Sequence, residues 1–438
     1  MLRRVDLRGA VDPRHSAASM ADLRRRLPRP AVVDEPPVEA VAALCNAVRD
    51  GGDGAVRDIT RRFDGCDLAA LVVGREECEA ALEELDANLR NALDVASRRI
   101  AEFHQHTLVP EASWSEGGVT VQSLPRAVDR AGAYVPGGAT PLISSVLMTA
   151  IPAKVAGVGE VVVATAPGPD GRPAAGILAA AALAGVEEVL VGNSTALVAA
   201  MAYGTESIDR VDVIVGPGGR YTAQAKREVA ARGLVGVPAS FAGPSEVVVI
   251  ADEHALPDHA AVDLIVQIEH GPDGLAWLVC WSEEVASAVE SMVEKLAATA
   301  GRSDVIMRNL AENAYTAIVD GPYEAVAVAN AIAPEHLQLM VEDPAALLDR
   351  VHHAGAVFCG DLSPASLGDY VAGPSHVLPT FGSARFAGAL GVADFQRRMH
   401  SVVVDRAGLD SLAPAVITLA EAEGLGVHAK SIRMRGGE

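Results

Sequence analysis

Residues 158–233 read VGEVVVATAP (158–167), AAGILAAAALAG (174–185), VEEVLVG (186–192), TALVAAMAYG (195–204), VDVIVGPGG (211–219) and RYTAQAKREVAARG (220–233). Val- and Ile-rich runs of strand length alternate with Ala-rich stretches of helix length. Repeated strand–helix units of this kind predict a parallel sheet with right-handed crossovers. The alternation resumes at SEVVVIAD (245–252) and HAAVDLIVQIEH (259–270), then LAWLVCWS (275–282) and EEVASAVESMVEKLAATA (283–300). NAYTAIVD (313–320), PYEAVAVANAIA (322–333) and HLQLMVED (336–343) continue it. The fold class is therefore α/β, with two Rossmann-like doubly wound parallel-sheet domains.

Outward from these units the texture changes. VEAVAALCNAVRD (38–50) and EECEAALEELDANLRNALDVASRRIAEFHQ (76–105) repeat apolar residues at three and four, which predicts helices from Val38 to about His106. Residues 1–30 have no clear core face and read as an arm that packs on something else. Residues 387–438 read as a helical tail ending in APAVITLAEAEGLGVHAK. The expected division is an arm (1–30), a discontinuous α/β domain (31–128 plus 240–386), a second α/β domain (129–239) and the tail (387–438).

A chain of 438 residues needs more than one core. Half of it is hydrophobic but only 4% is aromatic, so the cores must be Ala, Val, Leu and Ile. The formal net charge of −21 excludes a phosphate-backbone partner and favours solubility. Cys45, Cys66, Cys78, Cys280 and Cys359 form no C-x-x-C pair and are odd in number, which fits a reducing cytoplasm rather than a disulfide framework. The basic N-terminus lacks the apolar region of a secretory signal. The small-residue run from Pro173 to Val186 is too short to span a bilayer.

Several stretches carry chemistry. Gln267 and His270, three apart, share one face of a helix expected to stop at Gly271. They read as zinc ligands, or as a polar stripe ending in a His that suits the helix dipole. Glu335 and His336 follow Pro334 just before a strand, at the mouth of a sheet, and offer two successive proton transfers. The alternative is a solvated Glu and a turn His. LSPASLGDYVAGPSHVLPT (362–380) reads as a loop in which Asp369 and His376 are either ligating groups or turn and packing residues. Glu423 and His428 lie in the tail, exposed or folded back on another surface. Ser245 follows a Gly-Pro turn. Tyr134 offers a flat face beside Gly137 and Gly138. GPGG at 216–219 lacks the third Gly of a dinucleotide fingerprint.

In order along the chain, AYVPGG, YGTES with VGPGG, FAGPSEVVVIAD, DLIVQIEHG, APEHLQL, LGDYVAGPSHVLPT, GVADFQ and GVHAK resemble the histidinol dehydrogenase family. The resemblance implies zinc held by Gln267, His270, Asp369 and His428. It implies oxidation of L-histidinol through L-histidinal to L-histidine with two NAD. His336 would be the base for the alcohol, and Glu335 would activate the water that hydrates the aldehyde. Ser245, His376 and Glu423 would bind substrate together with His336 and the metal residues, and Tyr134 would lie against NAD. It also implies a cytoplasmic homodimer whose C-terminal tail completes the partner's site.

The chain departs from the family pattern at Ala365, where Glu is common, and at Ser375, where Asn is. Positions tied to polar NAD contacts appear as Ala196 and Gly219. Val158 stands where relatives carry Cys, which argues against a thiol mechanism. Two other readings use the same residues: a zinc hydrolase of a small amino-bearing substrate, and a non-catalytic protein whose two lobes close on a ligand.

Overall fold

The computed structural model describes residues 2–14, 16–28, 38–138, 140–238, 245–269 and 274–436. The chain opens with β1 (Arg3–Asp6) and α1 (Ala17–Arg26), then α2 (Val38–Asp64), β2 (Val72–Gly74), α3 (Arg75–Glu83) and α4 (Ala87–His106). A hairpin of β3 (Ala112–Glu116) and β4 (Val119–Ala127) leads to the first α/β run. That run is β5 (Arg130–Val135), α5 (Ile143–Val155), β6 (Glu160–Thr165), α6 (Ala175–Leu183), β7 (Glu188–Val191), α7 (Ser194–Tyr203), β8 (Val213–Val215) and α8 (Arg220–Ala231). The second run is β9 (Glu246–Ala251), α9 (Pro257–Glu269), β10 (Leu275–Cys280), α10 (Glu283–Thr299), α11 (Ser303–Asn313), β11 (Ala314–Ile318), α12 (Pro322–Ile332), β12 (His336–Met340), α13 (Pro344–Leu348) and β13 (Ala356–Cys359). Then come α14 (Ala365–Tyr370), β14 (Gln396–Val404), α15 (Arg406–Ala422) and α16 (Gly426–Gly436).

Two main sheets result. One runs β2-β7-β6-β5-β8 and is parallel except for the edge strand β2. The other runs β1-β11-β10-β9-β12-β13, all parallel. Strand order reverses between β5 and β8 in the first sheet and between β9 and β12 in the second, as in a doubly wound fold. Small side chains let the helices sit close. In α7, Thr195 to Ala202 are all buried, because the helix lies between its sheet and α2. Each fully buried Val or Leu contributes about 1.5–3 kcal/mol, so these aliphatic cores need few aromatics.

Three expectations are corrected. The helical segment that begins at Val38 shares its core with the five-stranded sheet and not with the six-stranded sheet: α2 packs on α7 and α8, and β2 pairs with β7. Its apolar stripes find their partner in the Ala-rich helices α6 and α7. The N-terminal arm, set apart as its own segment, joins the second unit, since Arg3–Asp6 extend the six-stranded sheet along β11. The tail is not purely helical: β14 pairs antiparallel with β4 over its whole length, in a third sheet ordered β14-β4-β3. Its sequence, QRRMHSVVV, is mostly exposed and has no core face to reveal it.

Candidate active site

Helix α12 ends in Ala333, a left-handed residue at φ 57. A residue with a Cβ is strained there. The turn delivers Glu335 and His336, 8% and 1% exposed, to the start of β12. Both sequence and structure put the pair at the mouth of a sheet. The usual crevice of α/β folds, however, lies at the carboxyl ends of the strands, and this pair sits at the amino edge.

His336 Nδ1 lies 3.3 Å from the carbonyl oxygen of Glu246. A carbonyl only accepts, so we assign the proton to Nδ1, which leaves Nε2 with its lone pair. Nε2 lies 2.9 Å from Nε2 of His376, and the two rings stack at 4.8 Å. With His336 Nε2 accepting, His376 Nε2–H is the donor, shared with the carboxylate of Asp369. Asp369 stands on the short helix α14 rather than in an irregular loop. The helix approaches because Gly368 has no side chain: a Cβ there would come within 2.7 Å of the Phe358 ring, which stacks on His336. The segment is tied to the other unit, with Ser375 Oγ donating to the Met148 carbonyl at 2.8 Å and Arg99 Nε to that of Val371 at 2.6 Å. The site thus forms where the two α/β units meet.

The Glu335 carboxylate accepts the backbone N–H of Glu246 at 3.3 Å and the hydroxyl of Ser245. Burial pushes its pKa well above the carboxylate range; the charges of Glu246 and Asp369 add to this, and the hydrogen bonds oppose it. Glu246, 4% exposed, is pushed up by burial too. Nothing in the sequence reading singled out Glu246. The available signal was a carboxylate opening a strand that is otherwise wholly apolar and buried, EVVVIA.

Gln267 lies on α9, 0% exposed, and neither amide atom has a hydrogen-bond partner among the described residues. The helix returns it to the amino edge of the sheet: Gly274 packs on the Gln267 carbonyl, and Leu275 N–H bonds to the Ser245 carbonyl at 2.9 Å. A buried orphan amide costs about 1–3 kcal/mol unless something binds it, and its oxygen suits a cation. His270 lies outside the described residues. His428 and Glu423 are exposed on the tail hairpin, and no contact places them at this cluster. Among the described residues, Glu335, His336 and His376 bring ligand-capable atoms within 4.8 Å of one another. Of the expected zinc set, Asp369 contacts His376, Gln267 lies at the same amino edge of the sheet, and His428 is exposed on the tail.

Tyr134 is 6% exposed at the end of β5, with its hydroxyl bonded to Ser194 and Thr222. It borders the crevice between β5 and β8. Gly216, at φ 97, lines the same place, where a Cβ would meet the Tyr134 carbonyl oxygen at 2.1 Å. Ala196 is fully buried in α7, whereas Gly219 caps α8 with open space around it. Cys359 pairs with Leu339, three residues along β12 from His336, and burial raises its thiol pKa. Distance and protonation both disfavour it as a nucleophile at His336.

Two doubly wound sheets with a buried carboxylate–imidazole array between them define a two-domain α/β enzyme built for acid–base chemistry. Residues 27–436 match the histidinol dehydrogenase family. The histidinol dehydrogenase of Parasynechococcus marenigrum (strain WH8102) is 44% identical over 418 residues, covering 95% of each chain. That of Chromobacterium violaceum is 44% identical over 408 residues, covering 92% of this chain and 93% of that one. A crystal structure of histidinol dehydrogenase from Elizabethkingia anophelis matches with a TM-score of 0.91 at 30% identity, covering 99% of this chain and 98% of that one. The chain belongs to the histidinol dehydrogenase family, and it is an oxidoreductase.

Proposed function

We propose that the chain oxidises L-histidinol through L-histidinal to L-histidine, consuming two NAD and one water and releasing two NADH. The observation that carries the reading is the array Glu335–His336–His376–Asp369, buried at Glu335 and His336, with the buried Gln267 at the same edge of the sheet. Hydride leaves the alcohol carbon only as the hydroxyl proton is removed, and His336 Nε2 takes that proton by exchanging its contact with His376 for the substrate hydroxyl. The aldehyde has no second hydride to give until it is hydrated. Glu335, buried beside the same imidazole, serves as the base for that water. Ser245, His376 and Glu423 contact substrate.

Zinc, one per subunit, fits Gln267, His270, Asp369 and His428 of the partner subunit; the orphaned buried amide of Gln267 supports it. When bound, the metal orients the substrate's imidazole and amine and favours the neutral amine. NAD fits the crevice at the carboxyl ends of β5 and β8, beside Tyr134 and Gly219, where the reversal of strand order opens the first sheet.

A homodimer brings the tail into play. Trp114, Val402, Val403, Leu419, Val427 and Met434 are 55–79% exposed on the third sheet and the tail hairpin. An apolar surface of this kind marks an interaction face, and a second copy covering it would bring Glu423 and His428 to the other protomer's site. Five free cysteines suit a reducing cytoplasm, and among the described residues no helix is long and apolar enough to cross a membrane.

The direct test is NADH formation from L-histidinol and NAD before and after chelation. About two NADH per histidinol, lost with the metal and restored by zinc, is the expected result. No NADH from the zinc-loaded protein would refute the reading.

A further inference from the structure

One residue outside the proposed machinery touches both proposed proton-transfer groups through its backbone. The N–H of Glu246 donates to Glu335 Oε2 at 3.3 Å, and its carbonyl oxygen faces His336 Nδ1 at 3.3 Å. The placement of this one residue's backbone therefore orients both side chains and fixes the tautomer that carries the lone pair on His336 Nε2.

The Glu246 side chain holds that unit in place. Its carboxylate accepts the N–H of Gly382 at 3.2 Å, and those of Phe381 and Glu335 as well. Glu335 and Glu246 thus grip each other's backbone reciprocally. On the far side of Gly382 stands Arg385, whose guanidinium donates to the Gly382 carbonyl at 2.9 Å, to that of Ile332 at 3.2 Å and to that of Ala331. These last two carbonyls end α12, immediately before the Ala333 turn that presents Glu335 and His336. Ala333 and Phe381 are the positive-φ residues other than Gly among the described residues, and the Glu246–Arg385 pair straddles both. Such conformations persist only where their surroundings hold them. Glu246 and Arg385 also line a cavity of about 480 Å³ with Trp277 and Phe381, and none of Glu335, His336, His376 or Asp369 borders it.

We propose that Glu246 and Arg385 are positioning residues for the oxidation: Glu246 sets Glu335 and His336 through its own peptide groups, and Arg385 locks the two strained turns that flank it. The proposal rests on the roles given above to Glu335 and His336. Displacing a catalytic group by about 1 Å costs on the order of 100-fold in rate without affecting remote binding contacts.

The test is steady-state kinetics on zinc-loaded enzyme with histidinol and, separately, with histidinal. Glu246→Ala should lower kcat about 10- to 100-fold on both substrates, with KM for histidinol little changed. Glu246→Gln keeps an acceptor for the three N–H groups and should restore most of the rate. Arg385→Lys keeps the charge but not the fork of carbonyl bonds, and should lower kcat in the same way if the alanine variant does not fold. Parental kcat in Glu246→Ala or Arg385→Lys, a KM rise matching the kcat loss, or Glu246→Gln as impaired as Glu246→Ala would each overturn the proposal. A Glu335→Gln enzyme that still oxidised histidinal would overturn the role given to Glu335 instead. The Glu246 variants would then be judged on the histidinol step, which runs through His336.

Discussion

Replacing Gln267 by Leu should make the metal-free protein more stable and the metal-loaded protein less so. Gln267 is fully buried, with both amide atoms unpartnered among the described residues. Leu has nearly the same bulk, so the change removes two unsatisfied polar atoms and opens no large void. Each such atom costs about 1–3 kcal/mol, and repacking takes some of the gain back, so a net stabilisation of about 2 kcal/mol is expected. For a domain of this size that is about 4–8 °C in melting temperature. Zinc at about 100 times its dissociation constant would stabilise the parent by about 2.7 kcal/mol, and the variant should lose most of that. The assay is thermal unfolding of both proteins in chelator and in zinc: the variant should melt higher in chelator and the parent higher in zinc. A variant that melts lower in chelator, or that keeps the full zinc shift, would show that Gln267 is an ordinary core residue.

His336→Phe should cut turnover by at least 100-fold, about 10²–10⁴ being what a positioned acid–base group supplies, while zinc measured by atomic emission stays bound. His428→Asn should lose zinc on dialysis; mixed with His336→Phe subunits it should regain part of the activity if the tail works in trans, and a mixture as dead as its components would refute the exchange. Gly216→Ala puts a Cβ 2.1 Å from the Tyr134 carbonyl at φ 97. It should cost about 1–3 kcal/mol of stability and raise KM for NAD; an unchanged KM would move NAD elsewhere. Lys226 is buried, donates to the Val215 and Gly216 carbonyls, and is pulled down by burial from 10.5 to about 7. Between those pH values the unfolded chain binds the extra proton, so this group's contribution to stability rises with pH, by up to about 1.4 kcal/mol per unit. Below pH 7 its full penalty remains. Urea unfolding of Lys226→Met should show a correspondingly flatter pH dependence over that range, and parallel slopes for the two proteins would count against the burial argument.

What could be read from the sequence followed from periodicity. The Val runs of β6 and β9 and the Ala-rich α6 and α7 repeat strongly enough to fix a doubly wound α/β fold. β14 escaped because exposed residues such as Arg397, Arg398 and Val402 follow no core face. The partnership of α2 with α7 is a matter of packing, and two apolar stripes do not declare which sheet they share. Within the site, Glu335, His336, Asp369 and His376 stood out by residue type, and the resemblance to known sequences joined them. Their contacts depend on Ala333 and Gly368, whose roles are visible only in backbone angles and close approach. Glu246 is harder still, since it reaches both groups through backbone atoms that every residue has, and only a carboxylate at the head of an apolar strand sets it apart.

The amino-edge location of Glu335 and His336 leaves the opposite rim of the six-stranded sheet uninvolved in their chemistry. There β9 ends at Ala251 and β12 at Met340, and Asp252, which follows β9, closes local turns by accepting the N–H groups of His254 and Glu342 and lies 3.5 Å from the His254 imidazole. That rim is the natural place to graft a tag, a surface anchor or a second enzyme. A fusion in the exposed turn at Glu253 would sit a full strand length from the proton-transfer groups, leaving them to work undisturbed.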